Sequence, residues 1–316
     1  MKRSIIGLCA ALAVFAVPVA AQASIEAGSY LGISNFVVTN TATGLPATVG
    51  VGGDISIALV TLTTASTDAV INGLPTSNFT LASLDAPASY SDGTTTVTPA
   101  GVENVFSPRP LPAGGPLYAR GDTNAGAGSA LSPAGGPVTT GASVDTIADV
   151  FVPNTATISN LGNSSATALQ SVFILTITTP LTLTLDFDYL IDQTLDYTLP
   201  PSGLKLTSDS AFAASLIGVG VSVGGVTTGL FTYEPGELNT SYVRTSPGVT
   251  NPGDGTIGSL TSPEVTLAPG IYTFSITQGN SASISAVPEA ASVVTWALMT
   301  ATGAAFVAVR RRRLRN

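Results

Sequence analysis

Four aspartates between residues 186 and 196 form the densest cluster of side chains that could carry out acid–base chemistry. They are Asp186, Asp188, Asp192 and Asp196. Paired carboxylates cleave glycosidic bonds when they lie about 5–10 Å apart across a bound sugar. Tyr189 and Tyr197 are the only polar-tipped aromatic residues nearby, and the one tryptophan, Trp296, lies near the C-terminus, so no aromatic platform for a sugar is evident. We interpret the cluster as a solvated strand face and keep a carbohydrate site as the alternative.

The composition excludes several classes of enzyme. The chain has no histidine, which rules out Ser-His-Asp and Cys-His catalysis, histidine-ligated zinc or haem, and a histidine pH switch. Its single cysteine, Cys9, can form neither an internal disulfide nor a thiolate metal cluster. Only 9% of the residues are charged, against about a quarter in typical soluble domains. We therefore expect no catalytic residue, no metal and no cofactor.

Three further motifs favour structural interpretations. The calcium-loop pattern Asp-x-(Asp/Asn)-x-(Asp/Asn)-Gly is absent, and Asp92-Gly93 and Asp254-Gly255 are typical of turns. Separate loops of so acidic a chain could still hold a hard cation. Residues 220–225 lack the lysine of a phosphate loop, so we interpret their glycines as strand bends. Arg120-Gly121-Asp122 matches the tripeptide that animal integrins bind. It falls in a segment predicted to be flexible, and we treat the match as coincidence.

The N-terminal segment, residues 1–23, has the three parts of a secretory signal peptide. Two basic residues precede an apolar stretch from Ile5 to Ala20, and Ala21 and Ala23 flank a small-x-small cleavage site. The sequence therefore predicts export through the Sec translocon and cleavage by signal peptidase, which leaves a mature chain that starts at Ser24 and lacks cysteine.

The C-terminal segment predicts one transmembrane helix. Residues 290–309 contain no Asp, Glu, Lys or Arg, and 20 helical residues span about 30 Å, the thickness of a bilayer core. A stop-transfer cluster follows, made of Arg310, Arg311, Arg312 and Arg313. Because such clusters stay in the cytoplasm, residues 24–286 are expected outside the inner membrane.

Val287, Pro288 and Glu289 stand directly before this helix, and the order of triplet, helix and arginine cluster resembles the PEP-CTERM sorting signal of Gram-negative bacteria. Ala290 occupies the position of the second proline in that pattern. The resemblance implies that residues 287–316 are recognised by an exosortase, an integral-membrane processing enzyme. It also implies association with exopolysaccharide or biofilm matrix.

The segment between the two ends is acidic and has the pattern of β-strands. Residues 24–286 keep four of the eleven basic residues and eighteen of the nineteen acidic ones, a net charge of −14 that repels nucleic acid. Apolar and polar residues alternate from Ser171 to Asp192, with a break at Thr179-Pro180. Strands are also predicted at 54–64 and 213–223.

The last stretch, Val265 to Ser283, has a turn at Pro269-Gly270 followed by strict alternation, and it resembles the closing strand of immunoglobulin-like sandwiches in bacterial surface proteins. Residues 107–143 are rich in Gly and Pro and predict a long loop. No helical periodicity occurs between 24 and 286. We therefore predict one all-β domain, an antiparallel sandwich of the jelly-roll or immunoglobulin-like type.

Together these features predict a non-enzymatic exported protein. We expect it to be held briefly in the inner membrane, processed by an exosortase-type enzyme, and released to the cell surface or the extracellular matrix, with exopolysaccharide as a partner. Two alternatives remain open, a secreted carbohydrate-binding or carbohydrate-active domain and a permanently anchored membrane protein.

Overall fold

The computed structural model describes most of the central part of the chain. The described residues are 24–49, 53–81, 86–92, 104, 106, 117–125, 142–153, 162–197, 203–223, 226–250 and 255–286. All their regular elements are β-strands, and none of these residues forms a helix that is long and apolar enough to span a membrane. The predicted signal peptide, the sorting triplet, the 290–309 helix and the arginine cluster lie outside the described residues.

Sixteen strands lie within the described residues. In chain order they are β1 (Ser24–Asn40), β2 (Leu45–Pro46), β3 (Ile55–Ile71), β4 (Leu74–Leu81), β5 (Ala86–Ser91), β6 (Tyr118–Ala125), β7 (Ala142–Pro153), β8 (Gly162–Ile177), β9 (Leu181–Tyr197), β10 (Leu204–Val223), β11 (Val226–Tyr233), β12 (Thr240–Arg244), β13 (Gly248–Thr250), β14 (Thr256–Thr261), β15 (Val265–Leu267) and β16 (Gly270–Ala286).

The strands form two antiparallel sheets that pack face to face. Sheet A has the order β13-β9-β1-β7-β6-β5, with β14 and β15 also pairing with β9 and β2 with β1. Sheet B has the order β11-β10-β16-β8-β3-β4, with β12 also pairing with β10. From β7 to β10 each successive strand changes sheet. The predicted all-β class with antiparallel sheets is confirmed.

The predicted alternation decides which residues face the interior. Phe173 and Leu175 of β8 and Leu183, Leu185 and Phe187 of β9 are buried, while Ile174 and Asp186 between them are partly exposed. The break at Thr179-Pro180 lies between the end of β8 and the start of β9. The predicted strand at 54–64 falls on the longer strand β3 except for Asp54, which directly precedes it, and the predicted strand at 213–223 is part of the longer strand β10.

One predicted element is wrong in part. The Gly- and Pro-rich segment 107–143 contains strand β6, and β7 begins at Ala142, so the loop prediction fails for 118–125 and for the last two residues. Strand β7 pairs with β6 along the whole length of β6, from Tyr118 to Ala125. The tertiary pairing overrides a local composition that is poor in strand-forming residues.

The interior between the sheets holds two apolar clusters. The distal cluster is the larger and contains five phenylalanines, namely Phe36, Phe173, Phe187, Phe212 and Phe274. The terminal cluster contains five alanines, namely Ala27, Ala69, Ala119, Ala148 and Ala282, with Ile25 and Ile284 among its larger side chains. Ser24 and Ala286, the first residue of β1 and the last of β16, both lie at the end of the sandwich that holds the terminal cluster.

A layer of buried polar side chains separates the two clusters. We call it the polar belt, and it consists of Ser29, Thr67, Thr146, Gln193, Ser208, Ser210, Gln278 and Asn280. On β16, for example, Ile276 belongs to the distal cluster, Gln278 and Asn280 to the belt, and Ala282 to the terminal cluster.

Candidate functional site

The aspartates of β9 lie on the outer face of sheet A. The Asp188 carboxylate accepts hydrogen bonds from Asn35 Nδ2 at 2.7 Å and from Ser259 Oγ at 2.5 Å. The Asp186 carboxylate accepts bonds from Thr261 Oγ1 at 2.7 Å and from Thr184 Oγ1 at 3.1 Å. Ser259 and Thr261 belong to β14, which pairs with this part of β9. The two carboxylates therefore hold β14 in place through its hydroxyl groups.

This environment favours the ionised state of Asp188. The hydrogen bonds from Asn35 and Ser259 lower the pKa of Asp188 below its ordinary value, since they stabilise the carboxylate more than the carboxylic acid. A general acid in glycoside hydrolysis needs the opposite shift, a raised pKa. Asp188 is therefore poorly suited to donate a proton.

The tyrosines near these aspartates point to the other side of the sheet. Tyr197 is fully buried in the terminal cluster, and Tyr189 packs against the distal cluster and lies over Gly258 of β14. Neither ring shares the outer face with Asp186 and Asp188, because strand residues alternate between the two faces. The geometry gives no support to a carbohydrate site built on these residues.

A second group of polar residues is buried on the outer face of sheet A. Arg120 Nη2 lies 3.1 Å from Asp149 Oδ2, and the exposed fractions of the two side chains are 2% and 4%. Gly28 stands beside this pair on β1, and a Cβ there would lie 2.7 Å from Asp149 Oδ1. A side chain at this position would displace the carboxylate from its place. No local pattern in the sequence indicates this pair, since its members are 29 residues apart.

The integrin-like tripeptide is part of this buried group. Arg120 and Asp122 are 1% and 0% exposed, and both belong to strand β6 rather than to a flexible segment. Asp122 accepts hydrogen bonds from the backbone N–H groups of Asn104 and Thr123. The expectation that the tripeptide lies in a flexible segment is wrong, and its two charged side chains are not available to a receptor.

Tyr30 and Asp145 form a third polar contact on this face. The Tyr30 hydroxyl donates a hydrogen bond of 2.6 Å to Asp145 Oδ1 and lies over Gly32. Burial raises the pKa of Tyr30, and the hydrogen bond to Asp145 adds to that rise. Burial also raises the pKa of Asp145, and the hydrogen bond from Tyr30 offsets this only in part. The pair keeps its proton on the tyrosine.

Acidic side chains are numerous on this face, and three of them line the same pocket. Glu26, Asp149 and Asp192 line a shallow pocket together with Tyr30 and Thr194. Among the described residues, no group of three or more His, Cys, Asp or Glu side chains is placed to hold a metal ion. Within this part of the chain, the alternative of a hard-cation site therefore has no geometry to support it.

The polar belt is the feature that the sequence analysis missed. Asn280 Nδ2 donates to Ser29 Oγ at 2.6 Å, and Ser29 Oγ donates to the carbonyl oxygen of Asp209 at 2.7 Å. Gln278 Nε2 donates to the carbonyl oxygen of Leu31 at 2.8 Å and to Thr146 Oγ1 at 3.0 Å. Thr146 in turn donates to Asn280. Each of these bonds connects one sheet with the other.

A second part of the belt connects β9 with β10 and β12. Thr240 Oγ1 donates to Gln193 Oε1 at 2.7 Å, and Gln193 Nε2 donates to the carbonyl oxygen of Ser208 at 3.3 Å. Ser208 Oγ donates to the carbonyl oxygen of Gly28 at 2.7 Å. These uncharged groups act as donors and acceptors, and they fix the two sheets relative to each other.

No protein-family model matches the chain, and neither does any curated protein sequence.

Proposed function

We propose that the chain is an exported, non-enzymatic surface or matrix protein whose C-terminal segment is a sorting signal of the PEP-CTERM type. The observation that carries this proposal is the order of Val287-Pro288-Glu289, an uncharged stretch of 20 residues and four consecutive arginines at the C-terminus. An exosortase-type enzyme of the inner membrane would recognise the triplet. The arginine cluster would keep the end of the chain in the cytoplasm.

Within the described residues, the first strand β1 begins at Ser24 and the last strand β16 ends at Ala286. Both boundaries lie at the same end of the sandwich. A helix that follows Ala286 would therefore place this end next to the membrane and the distal cluster away from it.

For the finer class of the fold we propose a jelly-roll type of sandwich. The strands β7, β8, β9 and β10 alternate between sheets A and B, so consecutive strands are joined across the sandwich. Jelly rolls have such cross-sheet connections, whereas hairpins within one sheet would keep consecutive strands together. The flanking signal and transmembrane helices remain part of the proposal.

The test is the mass of the mature protein purified from a Gram-negative host that produces an exosortase and exopolysaccharide. We expect a chain that starts at Ser24 and ends near Pro288. The variant Pro288→Ala/Glu289→Ala serves as the control and is expected to keep its C-terminal segment. A wild-type chain that still ends at Asn316 in the mature fraction would refute processing and would favour the permanently anchored alternative.

A further inference from the structure

Within the described residues, the polar belt lies between the two apolar clusters. Along β1 the inward residues run from Ala27 through Ser29 to Leu31, and along β9 from Leu195 through Gln193 to Ile191. The same order, from terminal cluster to belt to distal cluster, repeats on β3, β7, β10 and β16. On these six strands the belt therefore forms a layer between the two clusters, while the buried residue at the same level of β8 is Ala166.

Water enters such a layer at lower cost than it enters an apolar core. When apolar groups become exposed to water, the free energy gained from their burial is lost and no new interaction replaces it. Polar side chains that become exposed form hydrogen bonds with water instead. Gln278 Oε1 is buried and has no hydrogen-bond partner among the described residues, so it offers water an acceptor at the centre of the belt. Local unfolding that starts at one end of the sandwich can therefore stop at the belt.

Among the described residues, the terminal cluster is the smaller of the two and contains no phenylalanine, although Tyr197 and Leu206 belong to it beside its five alanines. The distal cluster contains five phenylalanines, and Phe187 contacts Phe36 and Phe212 at ring-centroid distances of 5.8 and 5.0 Å. Cooperative units of a protein that contain fewer buried apolar contacts open at lower free energy.

We infer that the terminal end of the sandwich opens as a cooperative unit separate from the distal end, and that the polar belt is the boundary of this opening. The functional part of the inference rests on the proposed function. β16 is a central strand, and Ala286 still pairs with Leu204, so the chain next to Val287 is held in the sheet. Opening of the terminal end frees this stretch of chain for a processing enzyme at the membrane.

Two isoleucines of β16 provide a matched pair for the test. Ile276 is 0% exposed in the distal cluster and Ile284 is 2% exposed in the terminal cluster, on the same face of the same strand and on opposite sides of Gln278 and Asn280. The variants Ile276→Val and Ile284→Val remove one buried methylene each, a change that cores generally tolerate without loss of the fold.

The measurement is native-state hydrogen exchange of the full chain in detergent micelles, read by mass spectrometry. In the wild type, amides of residues 24–28 and 281–286 are expected to exchange at least about tenfold faster than those of residues 183–191 and 271–277. Ile276→Val is expected to speed exchange about two- to tenfold on the distal side only, because the distal cluster stays intact when the terminal end opens. Ile284→Val is expected to speed exchange on both sides, because it raises the free energy of the native state from which both openings start.

Equal acceleration of both sides by Ile276→Val, or equal protection of both sides in the wild type, would show a single cooperative unit and overturn the inference. This result is independent of the C-terminal mass of the mature protein. The terminal end can open separately in a chain that is never processed, and a processed chain can still unfold as one unit, so failure of the inference and failure of the proposed function are distinguishable.

Discussion

Replacement of Arg120 by methionine tests the buried ion pair on the outer face of sheet A. Both partners are almost completely buried and lie 3.1 Å apart, so the variant leaves the buried Asp149 carboxylate without the guanidinium. Removal of one partner of a buried pair costs about 3–5 kcal/mol. Domains are typically stable by about 5–15 kcal/mol, so the loss is a large part of the total. For a domain of this size we expect Tm to fall by about 6–20 °C.

The assay is calorimetric or urea-induced unfolding of the full chain in detergent, with Lys205→Met as the control. Lys205 is exposed, and loss of an exposed charge is expected to change stability by no more than about 0.5 kcal/mol. The double variant Arg120→Met/Asp149→Leu should recover much of the loss, because an apolar pair can replace a buried ion pair at little cost. A loss below about 1 kcal/mol for Arg120→Met, or a double variant as unstable as the single one, would refute this reasoning.

Three further predictions follow from the described contacts. Ser259→Ala should raise the pKa of Asp188 toward its ordinary value in a carboxyl NMR titration, while Thr261→Ala, which contacts Asp186, should not. Because the folded-state pKa of Asp188 is lowered, its contribution to stability is present above about pH 4 and is lost as the pH falls through the folded-state pKa. Gly32→Ala should destabilise the fold in urea titrations by about 1–3 kcal/mol, since its Cβ would meet the Tyr30 hydroxyl and Asp145. Val38→Ile should raise Tm slightly, because Val38 lines a small apolar cavity between the sheets.

The strands could be predicted from the sequence where apolar and polar residues alternate without interruption. In β9 the inward series Leu181, Leu183, Leu185 and Phe187 is buried as predicted, because a period of two places alternate residues on one face of a strand. Strand β6 could not be predicted from the sequence. Its residues Tyr118–Ala125 include Gly, Asp and Asn and acquire their strand conformation from pairing with β7 and β5.

The polar contacts could not be predicted, because the partners are far apart in the chain. Asn280 and Ser29 are separated by 251 residues, and Gln278 and Thr146 by 132. Locally, Gln278-Gly279-Asn280 is typical of a turn, and only the pairing of β16 with β8 and β10 turns it into strand. The alternation along β9 led to the interpretation that the face with Asp186 and Asp188 is solvated. The spacing of residues in the sequence could not predict the hydrogen bonds of these aspartates to β14.

The belt also restricts the register of the paired strands, which the alternating pattern alone does not determine. A shift of one residue between paired strands moves every apolar side chain to the wrong face, but a shift of two residues preserves the pattern. Strands as rich in Ser, Thr, Ile and Ala as β16 and β10 have few side chains whose size would penalise a shift of two. The hydrogen bonds of Gln278, Asn280 and Gln193 impose that penalty, because a shifted strand would leave buried amides without partners at about 1–3 kcal/mol each. An apolar belt would give a core of similar burial with a less certain register. The same residues that specify the alignment of the two sheets thus also create the plane along which the interior divides.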